Sequence, residues 1–591
     1  MVSLALLLGC GDAGPPWSVV GRPSATTPRS IPLALDQLSR HARAGSFEIE
    51  SGEPVSQLRF SIGVRGGDRA TGPARFAVAA QRGEGWETVF EEVLRPGPRA
   101  WHDRVVDLPE GLRGASRFRF ESSLEGADPA LLLEAYFGSP VLLARREDTR
   151  PNVVFLLLDT LGASYLGHFG EFAGVSPSID AFLADAYSFR RAYSQYGATL
   201  TSTTSLLTGL YPVHHGNYGG RASLMTRIDS LVEEFAATGY FTAAITEGGF
   251  VSSGWGTSAG FDWYDNGPPQ QSTTAGFAPR TFPEAKRWLR EHALDNRFFL
   301  VVHSYEVHAP YLPRTQAARA MIERVSARDT RPLPGRWQTN AMRSHNAGRG
   351  KISPQDLQRM KGHHLATVHE LDEFVGGFLD ELAALGLEDE TLVVLLADHG
   401  DQFGERGKVG HGESLHNRVL HVPLGFRWPG RIEPGESPAP VQLVDVMPTV
   451  LELIGEPVPA GLDGRSLAPW ILREPELPAP RAAFSELRGP NSECERLDLD
   501  RHCRLYRYSV QTERFKFVSS EVPPGEVLYD LDVDPAELQD VAAEHPEELA
   551  RHRALLKAYL ADGRVDEADA GEEQALDPTT RGRLQALGYI Q

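Results

Sequence analysis

The residues best able to do chemistry in this chain are carboxylates and imidazoles that close apolar runs, with a hydroxyl-rich stretch between them. The run 153–158 ends at Asp159, and the run 392–397 ends at Asp398 and His399. Between them lies Thr199-Leu-Thr-Ser-Thr-Thr-Ser-Leu-Leu-Thr-Gly209, followed by Leu-Tyr-Pro. Two hard carboxylates and one borderline imidazole suit a divalent ion, Mn²⁺, Zn²⁺ or Mg²⁺ better than Ca²⁺ in an all-oxygen cage. A threonine hydroxyl is a weak nucleophile near neutral pH, and metal coordination is one way to activate it. Thr199 precedes the helix expected over 200–207, whose first amides can receive an anionic group. A threonine there is equally an ordinary helix cap.

Elements that position these groups are legible in the same patterns. From Asn152 the apolar runs are continuous and alternate with helical stretches, which predicts an α/β domain with a mostly parallel sheet covered on both faces. Strands are expected at 153–158, 242–246, 298–303 and 392–397, and helices at 179–186, 200–207, 228–237, 282–291 and 366–385. Ligands of such sheets gather outside the carboxyl ends of strands, where Asp159, Asp398 and His399 fall. Ahead of this domain (148–480), residues 44–147 carry period-two runs such as Phe47-Glu-Ile-Glu and Leu58-Arg-Phe-Ser-Ile-Gly-Val, the pattern of an antiparallel β-sandwich. Its Trp86, Trp101 and Tyr136 could serve glycan binding; packing is the simpler role. Beyond it, 481–591 shows alternating runs at 506–511, 515–519 and 527–530, a helix at 546–560, an acidic spacer at 566–573 and a short helix at 578–587.

At 591 residues the chain is too long for one core and suggests about two to four domains. A formal net charge of −20 argues against a nucleic-acid partner and says nothing of a small local pocket. Residues 1–10 end Leu7-Leu8-Gly9-Cys10 and resemble a bacterial lipoprotein signal without its basic start. The expectation is an exported protein, periplasmic or on the cell surface, anchored by lipid at Cys10 and followed by a Pro-, Ser-, Gly- and Arg-rich linker over 11–43. No run approaches the ~20 apolar residues of a membrane helix. Cys494 and Cys503 are either a local disulfide or two thiols.

Six motifs in order resemble the sulfatase family of the alkaline phosphatase superfamily, over roughly 150–590. They are Asn152-Val-Val-Phe-Leu-Leu-Leu-Asp-Thr, Ser176-Pro-Ser-Ile-Asp, Ser205-Leu-Leu-Thr-Gly-Leu-Tyr-Pro, Phe298 to Tyr311 with its His-Ala-Pro-Tyr, Leu396-Ala-Asp-His-Gly-Asp with Gly410-His-Gly-Glu, and Leu528-Tyr-Asp-Leu-Asp. The resemblance implies that Asp159, Asp398 and His399 hold one divalent cation and that Thr199 occupies the nucleophile position. It further implies that His308, His411 and His215 meet the ester oxygens or the leaving group, that His303 stands behind the ligands, and that His214 is incidental. A second ion on Glu306, His308 and His411 is the alternative.

The departures from that family matter as much. Thr160 stands where a second Asp is usual, and His399 where Asn is common. Thr199, Thr201 and Thr203 replace the Cys/Ser-x-Pro-x-Arg pattern that is oxidised to formylglycine. Threonine has no second hydroxyl on its β-carbon, so a covalent adduct on it must be cleared by attack at phosphorus or sulfur. The expected activity is therefore hydrolysis of a phosphodiester, phosphomonoester or phosphonate ester of a small molecule, lipid or glycan. Alternatives are a sulfuric ester hydrolase acting on glycans, a phosphoryl-headgroup transferase, and an inactive glycan-binding scaffold.

Overall fold

The computed structural model describes residues 17–21, 45–51, 55, 57–66, 73–95, 102–113, 115–124, 133–145, 150–170, 172–218, 230–267, 276–294, 296–326, 333–488, 506–521 and 524–561. The expected signal and anchor at Cys10, the Cys494 and Cys503 pair, Trp101, the side chain of Tyr136 and the tail beyond 561 lie outside the described residues.

Alternation of large apolar and polar residues builds the N-terminal sandwich, because successive side chains of a strand face opposite ways. Its strands are β1 (Trp17–Gly21), β2 (Gly45–Glu50), β3 (Gln57–Gly66), β4 (Ala74–Arg82), β5 (Gly85–Leu94), β6 (His102–Asp107), β7 (Arg117–Leu124) and β8 (Leu133–Arg145). They form two four-stranded antiparallel sheets, β1-β8-β3-β6 and β2-β7-β4-β5. Leu58, Phe60, Phe76, Phe118 and Phe120 fill the space between them. The stretch expected to be a linker is not wholly one. Trp17–Gly21 pairs antiparallel with the end of β8. Trp86 is half-buried, with the Arg119 guanidinium 4.1 Å from its ring, which fits a packing role.

The central sheet contains β9 (Asn152–Leu158), β10 (Tyr187–Tyr193), β11 (Phe241–Ile245), β12 (Trp263–Asp265), β13 (Phe298–Ser304) and β14 (Thr391–Leu396). After a short hairpin of β15 (Gln402–Phe403) and β16 (Val409–Gly410) come β17 (His421–Val422), β18 (Leu424–Arg427) and β19 (Gly435–Gln442). The order is β12-β11-β13-β9-β14-β18-β10-β17, with β19 beside β10. Pairings from β12 through β14 are parallel; β18 and β17 enter antiparallel. Every residue of β9, β13 and β14 is buried, as a sheet with both faces covered requires. Phe299 of β13 stacks on Phe235 at 4.2 Å and meets Phe155 of β9 edge-on at 5.2 Å. Burying each such side chain contributes about 1.5–3 kcal/mol.

One helix proves longer than its apolar pattern suggests: 366–385 is the later part of Pro354–Ala384. Ser353 caps it, its side chain accepting from the Asp356 amide, so the polar first turns are held by a cap rather than by a hydrophobic stripe. Asp372 of this helix accepts from the amides of Ser178 and Ile179 at 3.0 and 2.7 Å, fixing the start of the helix Pro177–Asp185. The C-terminal sheet has four strands in sequential order, β20 (Ala483–Leu487), β21 (Arg507–Gln511), β22 (Phe515–Glu521) and β23 (Pro524–Asp530), followed by the helix Pro546–Ala561.

Candidate active site

Strands β9 and β14 are parallel neighbours in register, Leu396 facing Leu157, so the residues just past their carboxyl ends meet. Asp159, Asp398 and His399 are fully buried there, with ligand atoms all within 4.8 Å of one another. The helix Thr199–Thr208 starts against this cluster. Thr199 Oγ1 donates to Asp159 Oδ2 at 2.9 Å and lies 3.4 Å from His399 Nε2. The helix ends at Gly209, whose positive φ of 66° closes the last turn back onto Ser205.

Each ligand is held in a fixed attitude. Asp398 Oδ1 accepts from the amides of His399 (2.8 Å) and Thr160 (3.2 Å), and Oδ2 accepts from Ser202 Oγ at 3.3 Å. His399 Nδ1 donates to the Gly400 carbonyl at 3.1 Å, which turns Nε2 toward Thr199 and Asp398. His303 Nε2 lies 3.6 Å from Asp159 Oδ2, behind the cluster.

These residues fit a divalent cation. Asp159 Oδ1 is buried with no hydrogen-bond partner, and among the described residues no lysine or arginine pairs with Asp159 or Asp398. Burial, and next the Asp398 carboxylate, raise the Asp159 carboxyl well above the usual carboxylate range. Two adjacent carboxylates in a dry site call for positive charge. Thr160 adds a further sign of a functional turn: it is β-branched at φ 57°, and its buried Oγ1 has no partner.

The imidazoles of His399, His411 and His308 form a row, with ring centroids 4.5 and 4.9 Å apart. His411 Nδ1 bonds Asp401 Oδ1 at 2.7 Å, while Tyr311 OH donates to Asp401 Oδ2 and Tyr165 OH to the Asp401 carbonyl, both at 2.7 Å. Burial alone would raise Asp401, but the His411 imidazole and its hydrogen bond hold the carboxyl down at about 2. His308 Nδ1 faces the Ala309 carbonyl at 2.6 Å. Burial, with His411 beside it, lowers His308 to about 3, which favours the neutral imidazole.

Two expectations need correction. Glu306 does not join His308 and His411 in a second metal set. Its carboxylate pairs with Arg314 and accepts from the Ala278 amide at 3.1 Å, at the start of the helix Ala278–Trp288. His215 is buried with both ring nitrogens committed, Nδ1 accepting from the Asn217 amide and Nε2 meeting Ser205 Oγ, each at 3.0 Å. Burial, and then His214, hold it at about 3. That imidazole braces the later turns of the helix Thr199–Thr208, and its two bonds leave no ring nitrogen for an ester oxygen. His214 is taken up by Asp463 at 2.7 Å. Asp401 and Ser202 were missed, although both were signalled: Asp401 closes Asp398-His-Gly-Asp, and Ser202 lies three residues beyond Thr199 on the same helix face.

The sulfatase family model matches residues 151–456, just over half of the chain and the whole of the sheet that carries this cluster. The chain belongs to the sulfatase family. A second model, N-sulphoglucosamine sulphohydrolase, C-terminal, matches residues 411–564. Among the similar relatives is the ulvan-active sulfatase of Formosa agariphila, 27% identical over 57% of this chain and 68% of its own. Arylsulfatase A of Homo sapiens is 28% identical over 69% of this chain and 88% of its own. The phosphonate monoester hydrolase SpPMH of Silicibacter pomeroyi shares the fold at a TM-score of 0.58 and 21% identity, covering 70% of this chain and 96% of that one. This sulfatase-family chain is an ester hydrolase of the alkaline phosphatase superfamily fold, whose members use a divalent metal.

Proposed function

We propose that Thr199 is the nucleophile of this hydrolase and attacks the central atom of a sulfuric or phosphoric ester. The observation that carries the reading is the position of Thr199 Oγ1, 2.9 Å from Asp159 Oδ2 and 3.4 Å from His399 Nε2 at the start of a helix. A divalent ion held by Asp159, Asp398 and His399 would supply positive charge that favours the ionised hydroxyl and offsets the charge of an anionic ester. The first amides of the helix Thr199–Thr208 favour the transferring oxygens. The bond from Thr199 Oγ1 to sulfur or phosphorus forms as the ester's bridging bond breaks, and the proton given up by the hydroxyl is balanced by the one the departing oxygen takes up. Water then attacks the adduct, restoring the hydroxyl and releasing sulfate, phosphate or, from a diester, a phosphate monoester.

Sulfur and phosphorus each have their own support. The relatives that carry the name sulfatase, one of them ulvan-active, favour a sulfuric ester on a glycan, and we take that class first. Phosphorus, favoured by the sequence analysis, is supported by Thr199 itself, which cannot become formylglycine. The apolar start ending at Cys10 supports export and lipid anchoring, tested by labelled-palmitate incorporation in the wild type and its loss in Cys10→Ala.

The deciding assay pairs sulfated glycan, aryl sulfate, phosphate monoester and phosphodiester substrates with Mn²⁺-loaded protein, beside Thr199→Ala and Asp398→Ala. Turnover of one ester class, abolished by both substitutions, supports the reading and names the class. Turnover that survives Thr199→Ala removes the nucleophile.

A further inference from the structure

The buried charges that the chemistry above leaves unused converge on the segment between His411 and His421. Lys516 of β22 is fully buried, its Nζ donating to the Leu415 carbonyl, to Asn417 Oδ1 at 2.7 Å, and to Glu537 Oε1 and Oε2 at 3.1 and 3.3 Å. Glu537 accepts in turn from the Asn417 amide at 2.8 Å and bonds His416 Nδ1 at 2.6 Å. Glu537 adopts φ 56°, a left-handed backbone that a glutamate rarely takes unless its surroundings enforce it. The C-terminal subdomain thus grips residues 415–417 through one buried, fully occupied ion pair.

The next two residues of that segment touch all three turns of the active site. The Gly400 amide, one residue past the ligand His399, donates to the Val419 carbonyl at 2.7 Å. A Cβ on Gly400 would stand 2.5 Å from the Arg418 carbonyl oxygen and 2.8 Å from the Gly162 Cα, and one on Gly162 would stand 3.1 Å from that same oxygen. Gly162 follows Asp159 by three residues. A Cβ on Gly197, two residues before Thr199, would meet Val419 Cγ1 at 2.7 Å. Through the Arg418 carbonyl, and through the Val419 carbonyl and side chain, Arg418 and Val419 abut the turns that carry Asp159, His399 and Thr199.

We infer that Lys516 and Glu537 are positioning residues of the catalytic site: the C-terminal subdomain holds 415–417 so that Arg418 and Val419 fix the distances among the cation ligands and the nucleophile. The inference rests on the cation and Thr199 site proposed above. A buried ion pair is not in itself evidence of stabilisation, so the claim concerns geometry and is tested on geometry.

The test uses full-length Lys516→Met and the milder Asn417→Ala, which removes one acceptor of the ammonium. Val510→Ala, a core truncation in the neighbouring β21, serves as a control for lost stability. Mn²⁺ affinity by calorimetry, kcat and KM at 25 °C, and hydrogen exchange of the Gly400 amide are read beside the thermal midpoint. Loss of an outer support costs about 10- to 100-fold in metal affinity or activity. The expected result is a loss of that size in Mn²⁺ affinity and kcat for Lys516→Met, a smaller one for Asn417→Ala, and faster Gly400 exchange in both. KM stays close to wild type, and Val510→Ala lowers the midpoint alone. Should Lys516→Met fail to fold, Asn417→Ala decides. Variants that lose only thermal stability, as Val510→Ala does, overturn the inference. A wild type that binds no Mn²⁺ sinks the site reading, while Gly400 exchange that quickens in the variants still upholds the latch.

Discussion

Removing the cation should destabilise this protein, and replacing Asp398 by Asn should restore much of what is lost. The ligand atoms of Asp159, Asp398 and His399 lie within 4.8 Å, where two unit charges at an effective dielectric of about 20 repel by about 3.5 kcal/mol. For a domain the size of residues 150–488, that corresponds to about 5 °C in thermal midpoint. Asp398→Asn keeps the shape and the bonds: its Oδ1 can still accept from the amides of Thr160 and His399, and its amide can donate to Ser202 Oγ. The pH dependence follows from Asp159, raised above its ordinary value first by burial and then by Asp398. A carboxyl raised on folding contributes stability that is complete below the unfolded value and lost as pH rises through the folded one. Cation-free protein should therefore weaken towards neutral and alkaline pH, and the gap between Mn²⁺-loaded and chelator-treated samples should widen in the same direction. The assay is thermal unfolding at pH 5 and 8, with and without Mn²⁺, for wild type and Asp398→Asn. A cation-free wild type as stable at pH 8 as cation-free Asp398→Asn, or a variant that still responds to Mn²⁺, would refute the reasoning.

Other substitutions probe the surroundings. Asp401→Asn should weaken the hold on His411 and lower kcat about 10- to 100-fold with cation binding retained, measured by kinetics and calorimetry on the same preparation. Glu306 is pushed up to about 8, burial outweighing the Arg314 guanidinium. Its contribution is complete below about pH 4.5 and lost as pH rises through about 8. Urea titrations from pH 5 to 9 should accordingly show Glu306→Gln declining less than wild type, and parallel curves would remove the point. Thr160→Asn should relieve the left-handed turn and raise stability by about 1 kcal/mol. A lower midpoint would mean that the Thr160 hydroxyl is itself engaged.

Much of the site could be read from the sequence because strands buried on both faces advertise themselves. The runs into Asp159 and Asp398 are uninterrupted apolar stretches, and their parallel pairing puts those carboxylates side by side. Thr199 was singled out by the family resemblance, since Thr201, Ser202, Thr203 and Thr204 beside it also offer hydroxyls. What escaped was contact between residues far apart in the chain. Glu306 looked like a ligand beside His308, since nothing in the local pattern shows Arg314 folding back onto it. His215 stood inside a motif, but its bonds to Ser205 and Asn217 depend on how the helix and the turn after it pack. The strand Trp17–Gly21 was masked by neighbouring Pro and Ser residues, and β20 by the proline-rich approach to it. The start of the helix Pro354–Ala384 was hidden for another reason: its polar face looks like a loop until the Ser353 cap is seen.

Glycines 162, 197 and 400 give this enzyme an unusual freedom. Under the proposal that Thr199 is the nucleophile, the packing of these glycines against Arg418 and Val419, and not the side chain at 199, sets where the reactive group sits. Diversification in such a lineage can then proceed by changing the warhead one residue at a time, while any side chain added at the seam would cost every chemistry at once.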